Sequence, residues 1–309
     1  MVLLVEKLFH SHKHSSKLEN HHHHHRGRSK PLSASLQAFQ CYVSSCMNKL
    51  ISLNSKPGSE SMSLSWIHEC LELLSNLNRA FAKLVMEMEY PMSKWDDNSS
   101  EEYLSYSLKL LDLLNVIASS LSHLGLARMS ISHALSLIDD APESAMERLK
   151  AVELIKNLDK EIKVEAAEGG EEKRLSYGEK KLVFDKALMV MKRNGYWLCG
   201  IVLLGLSGDT RLCLETQNLG SGFLTPSAMA AMEKNGVAEE VSEVNDDMAY
   251  LVAAIAAGEN YSDAGKKLEG KLEVMEKLLD GIGTRADGLF SEIMAGRIEL
   301  LDGLRQMKP

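Results

Sequence analysis

The chain has 309 residues, 45% of them apolar and 25% charged, so it can bury a sizeable core and is not a disordered polymer. Aromatics make up only 6%, which favours helices over a β-sandwich. The net charge of −8 is uneven: residues 1–30 carry +4 and the remainder −12. An acidic body repels phosphate, which argues against nucleic acid as a partner.

Residues 1–30 hold eight histidines, including the run His21, His22, His23, His24 and His25, in a Ser/Lys/Arg background that builds no core. We expect a disordered, basic, His-rich arm. The five consecutive imidazoles are weak metal candidates, because such an arm fixes no coordination geometry and no supporting shell. The opening MVLLVEKLF is too short an apolar run for a secretory signal, and Val2 excludes myristoylation.

Prolines 31, 57, 91, 142 and 226 divide segments of helical periodicity. Leu32, Leu36, Phe39, Val43, Met47 and Leu50 form the first stripe. Leu64, Ile67, Leu71, Leu74, Asn78, Phe81, Val85 and Met88 form the second, capped by Ser61 or Ser63, with Asn78 as a polar residue in the seam. Ser99 or Ser100 is expected to cap a third helix over about 101–124. Leu104, Leu108, Leu111, Leu114, Ala118 and Leu121 make it apolar on most faces, which suggests the middle of a bundle. A shorter stretch to Ile138 follows Gly125.

After Pro142, Met146, Leu149, Val152, Ile155, Leu158 and Ile162 predict another helix. It ends at a charged, glycine-bearing flexible linker of about 166–178. A helix resumes near Glu179 and enters an uncharged stretch whose apolar heart is Tyr196, Trp197, Leu198, Ile201, Val202, Leu203, Leu204 and Leu206. Spanning a bilayer takes about 20 residues, and this run is short and interrupted by Gly195, Gly200 and Gly205. A buried bundle helix is the preferred reading; a short membrane anchor is the alternative.

Two further stripes close the chain. They are Val237, Val241, Val244, Met248, Leu251, Ile255 and then Leu268, Leu272, Met275, Leu279, Ile282, Ala286, Leu289, Ile293, the latter alternating by four and three. The expected fold is all-α: one bundle over 31–309 of long antiparallel helices with coiled-coil-like heptad packing. The strictness of the last stripe also suits a helical protein partner.

Little chemistry is announced. Cys41, Cys46, Cys70, Cys199 and Cys213 form no CxxC pair and read as buried thiols of a reducing compartment. His68, His123 and His133 lack metal-ligand spacing. GLSGD and NLGSGF read as turns rather than as a nucleophile elbow or a dinucleotide loop. No cofactor is implied.

Several stretches carry a family resemblance: SMSLSWIHECLELL (61–74), YPMSKWDD (90–97), YLSYSLKLLDLLN (103–115) and IMAGRIELLDGLR (293–305). Together they resemble the plant BYPASS family over 31–309, most densely in 61–125. Trp66, Trp95, Tyr103, Leu111 and Asp112 are the recognisable positions, with Trp66 and Leu111 expected as core anchors and Trp95 as a pin for the inter-helix loop. The resemblance implies a helical, non-catalytic regulator of plant development that restrains a mobile, growth-arresting root-to-shoot signal. We expect a cytoplasmic or endomembrane-associated location; the Ser and basic residues common up to Ser35 leave a plastid as the lesser alternative. A helical carrier of a small apolar molecule or lipid, or an enzyme of signal metabolism, are the rival functions.

Overall fold

The computed structural model describes residues 31–54, 62–155, 178–219 and 236–306. The arm with His21 to His25 and the linker up to residue 177 lie outside the described residues. The described residues contain no strand and form eight α-helices. These are α1 (Leu32–Asn54), α2 (Leu64–Glu87), α3 (Asp97–Ser136), α4 (Pro142–Lys150), α5 (Glu179–Ser207), α6 (Thr210–Leu219), α7 (Glu239–Ala257) and α8 (Ser262–Gln306), with a 3-10 turn at Met92–Lys94.

Sequence periodicity and burial agree along most of the chain. Leu268, Leu272, Met275, Leu279, Ile282, Ala286, Leu289 and Ile293 are all buried on α8. On α2, Ser63 caps the helix by accepting from the Trp66 amide at 3.1 Å. Just past the end of α2, Glu89 is a non-glycine residue in the left-handed region (φ 49°), and the Tyr90 amide reaches back to the Val85 carbonyl at 3.2 Å. That turn directs the chain into Pro91 and Trp95.

α2, α3, α5 and α8 make the body, and their pairing departs from an all-antiparallel bundle. Glu72 pairs with Arg285 and Arg79 with Glu292, so α2 and α8 run parallel. Lys181 meets Asp96 and Lys192 meets Glu102, so α3 and α5 are also parallel. Arg128 with Glu276 and Arg297 with Leu104 make α3 and α8 antiparallel. The close approach of Ile67 to Gly205 and of Phe81 to Phe184 makes α2 and α5 antiparallel. Each long helix therefore has one parallel and one antiparallel neighbour. The physical reason is connectivity: α2 and α3 are consecutive yet sit on a diagonal, so the 88–96 segment crosses the end of the bundle.

Five other expectations are corrected. α3 is a single helix through Gly125, where an added Cβ would meet nothing within 4 Å. Its cap is Asp96, whose carboxylate accepts from the Ser99 amide at 2.8 Å, rather than Ser99 or Ser100. α3 is not the most enclosed helix, since Leu108, Leu126 and Met129 are exposed; that position belongs to the second half of α5. The helix after Pro142 stops at Lys150, leaving Val152 and Ile155 in irregular chain. Cys41 is exposed and Cys46 half-buried, so the buried-thiol reading holds for Cys70, Cys199 and Cys213 alone.

Candidate functional site

The diagonal crossing places Trp95 over the open end between the four long helices, and an aromatic cluster grows beneath it. The Trp95 indole nitrogen donates to the Tyr90 carbonyl at 3.0 Å, which closes the crossing loop on itself. Its ring lies 4.4 Å from Phe184 of α5 and 5.3 Å from Tyr103 of α3, centroid to centroid. Phe81 of α2 is 5.6 Å from Phe184 and stacks on Tyr103 at 6.3 Å. These separations and tilts suit the ring quadrupoles.

Below the cluster is a cavity of about 90 Å³. Phe81, Trp95, Tyr103 and Tyr106 wall it together with Met92, Leu110, Met191 and Ile293. Its polar edge is Asn78, Arg79, Ser107 and Glu292. Glu292 accepts from the Ser75 hydroxyl at 2.8 Å and faces Arg79 at 3.6 Å. Ser107 donates to the Tyr103 carbonyl at 2.8 Å and accepts from Arg297 at 2.6 Å. The Asn78 amide nitrogen is buried without an acceptor. Burial pushes the Tyr103 phenol up to about 12, with Arg297 opposing and Glu299 assisting. Burial also draws the Arg297 guanidinium below its ordinary value, against Tyr103 and Asp112. The site thus holds a neutral phenol at Tyr103 and one carboxylate, Glu292, tied to Ser75 and Arg79.

A polar staple supports the cluster from outside. Lys181 of α5 is nearly buried and reaches the Asp96 carboxylate at 2.9 Å and the Ser99 hydroxyl at 3.1 Å. Burial works against the ammonium, but Asp96 and Asp185 outweigh it and raise Lys181 above its usual value.

Of the positions singled out from sequence, Trp95 and Tyr103 meet at the cavity. Trp66 is buried elsewhere, donating to the Leu50 carbonyl of α1 at 2.9 Å. Leu111 is buried and Asp112 exposed. The apolar run Tyr196, Trp197, Leu198, Ile201, Val202, Leu203, Leu204 and Leu206 is buried throughout. Its glycines are approached from three sides: Gly195 by Tyr106 of α3, Gly200 by Thr216 of α6 and Gly205 by Ile67 of α2. Among the described residues, the helix long and apolar enough to cross a membrane is α3, half of whose most apolar window is buried. Also among the described residues, no group of three or more His, Cys, Asp or Glu side chains could hold a metal ion.

Sequence reasoning missed Phe184, Lys181, Glu292 and Arg297. Phe184 was open to discovery, since Val183, Phe184, Ala187, Leu188 and Met191 recur at helical spacing and are all buried. Nothing local distinguishes the charged three from solvated ones.

Over 296 residues the chain is 23% identical to "Protein BPS1, chloroplastic" of Arabidopsis thaliana, covering 88% of this chain and 84% of that protein. It is 32% identical over 102 residues to "UPF0496 protein 4" of Oryza sativa, in both the indica and japonica subspecies. That match spans 33% of this chain and 22% of the rice protein. No protein-family model matches the chain, and no solved structure matches it.

Proposed function

The chain belongs to the plant-specific BYPASS/UPF0496 family, and from that premise we propose that it is a non-catalytic regulator of plant development that acts by binding. In this reading it restrains a mobile, growth-arresting signal that passes from root to shoot, and it works through a helical protein partner that meets a surface other than the α8 stripe, whose residues Leu268 to Ile293 are buried within the bundle. The observation that carries the reading is the likeness to BPS1 along 88% of the chain. It is supported by a site whose charged groups are spent on structure: Arg79 and Glu292 on each other, Arg297 on Ser107 and the Leu104 carbonyl, Lys181 on Asp96.

Grafting tests the signalling role. A rootstock lacking this protein, joined to a normal shoot, should arrest that shoot; normal growth would overturn the reading. Affinity capture of the full chain from roots tests the mode of action, and the expected result is a reproducible protein partner. A fluorescent fusion of the full chain separates a cytoplasmic or endomembrane location from a plastid one, which the word "chloroplastic" in the relative's name supports. Peripheral membrane contact predicts pelleting with membranes and release by a high-salt wash.

A further inference from the structure

The cavity beneath Trp95 has features that ordinary packing does not require. About 90 Å³ lies here among Phe81, Trp95, Tyr103 and Tyr106, in a recess that is partly open to solvent beside Arg79. The lining atoms forgo contacts on that side. Asn78 adds a second mismatch, a buried amide donor with no acceptor, at a position where leucine would continue the seam. Its polar neighbours are already committed: Glu292 to Ser75 and Arg79, Ser107 to Tyr103 and Arg297.

We propose that this cavity is a binding site for a small, uncharged, ring-bearing molecule with one hydrogen-bond acceptor, which the Asn78 amide meets while the aromatic walls take the ring. The site selects against charge, because a desolvated carboxylate or ammonium would find no uncommitted counter-charge there. It selects against length as well. Drug-sized ligands occupy about 300–1,000 Å³, whereas a cavity of about 150 Å³ suffices for benzene. At about 90 Å³ the cavity is smaller than that, so a ring enters only as the flexible walls, Met92 and Met191 among them, move outward, and a lipid chain is excluded. Arg79, whose side chain is 40% exposed opposite Glu292, marks the rim. The inference is independent of the protein-partner reading, and its failure would leave that reading intact.

Anisole and ethylbenzene form a matched pair of probes: equal in heavy atoms and similar in shape, only the former carrying an ether acceptor. With the full chain, titration by calorimetry and by ligand-observed NMR should show anisole saturating one site, ethylbenzene binding about 2- to 10-fold more weakly, and benzoate not binding. Asn78→Leu should abolish the preference for anisole while keeping ethylbenzene affinity. Ala82→Leu, which fills the cavity from α2, should weaken both probes, with circular dichroism reporting that the variant is folded. Should that variant fail to fold, cross-relaxation from anisole protons to the Trp95 and Tyr103 rings in the unaltered chain decides the location. Absence of saturable anisole binding up to its solubility limit would overturn the proposal. So would equal affinity for the pair, undiminished binding to folded Ala82→Leu, or cross-relaxation to other rings alone.

Discussion

The Lys181 ammonium lies 2.9 Å from the carboxylate of Asp96, the residue that caps α3, so one ion pair joins the start of α3 to the start of α5. Burial disfavours the charged form of Asp96, but the Ser99 amide and Lys181 outweigh it and hold the carboxyl below its ordinary range. A carboxyl lowered in the folded state stabilises above its unfolded pKa of about 3.9 and loses that contribution as pH falls through the folded value. Asp96→Ala removes cap and pair together and should cost about 1–2 kcal/mol at neutral pH. Asp96→Asn keeps a cap acceptor and should cost less, and its deficit should shrink as urea denaturation is repeated from pH 5 down to pH 2. Lys181→Met should be milder than Asp96→Ala, because the Asp96 side chain is 47% exposed and remains solvated without its partner.

Trp66 should separate packing from hydrogen bonding. Trp66→Phe keeps most of the buried area and loses the bond to the Leu50 carbonyl, costing about 1–2 kcal/mol in denaturant midpoint experiments. Trp66→Ala opens a cavity between α1 and α2 and should cost about 3–5 kcal/mol.

Helical glycines of this chain should answer alanine in opposite directions. At Gly125 an added methyl meets nothing within 4 Å, so Gly125→Ala should stabilise by about 0.5–1 kcal/mol. At Gly200 it would collide with the Thr216 hydroxyl and lie 3.4 Å from the Cys213 carbonyl, and the overpacking should leave a net loss of about 1–3 kcal/mol. Thr216→Ala in the same chain should recover part of that loss. Thermal unfolding of the unaltered chain, the two single variants and the double variant gives the coupling directly.

Thiol labelling should follow burial rather than sequence. Cys41 is exposed and should react first with a disulfide reagent, followed by the half-buried Cys46. Burial pushes Cys70 well above its ordinary value, with Glu69 and Cys199 adding to it, and pushes Cys199 to about 12. These two, with buried Cys213, should stay silent until denaturant is added.

Helix periodicity made most of the architecture legible in advance, because a stripe such as Leu268 to Ile293 repeats often enough to average out local exceptions. Boundaries failed where one residue overrode the pattern. Gly125 suggests a break by composition, yet a glycine with open space around its Cα costs a long helix only about 1 kcal/mol. Asp96 caps α3 in the role that the sequence pattern assigns equally well to Ser99 or Ser100. The diagonal placement of α2 and α3 left no mark on periodicity, since a stripe states that a face is buried but not against which helix. For the same reason Asn78 was visible as a polar interruption, while the cavity beside it needed Met191 and Ile293 from distant parts of the chain.

The spacing of the α5 glycines carries one more consequence. Five residues of α-helix advance the side-chain direction by about 140° beyond a full turn, so Gly195, Gly200 and Gly205 point three ways around the rod, each keyed to a different neighbour. An axle locked in three directions neither rolls nor slides without disturbing α2, α3 and α6 together. The same rod could enter a lipid bilayer only after those helices had been prised away, which makes any such insertion an act of disassembly rather than of docking.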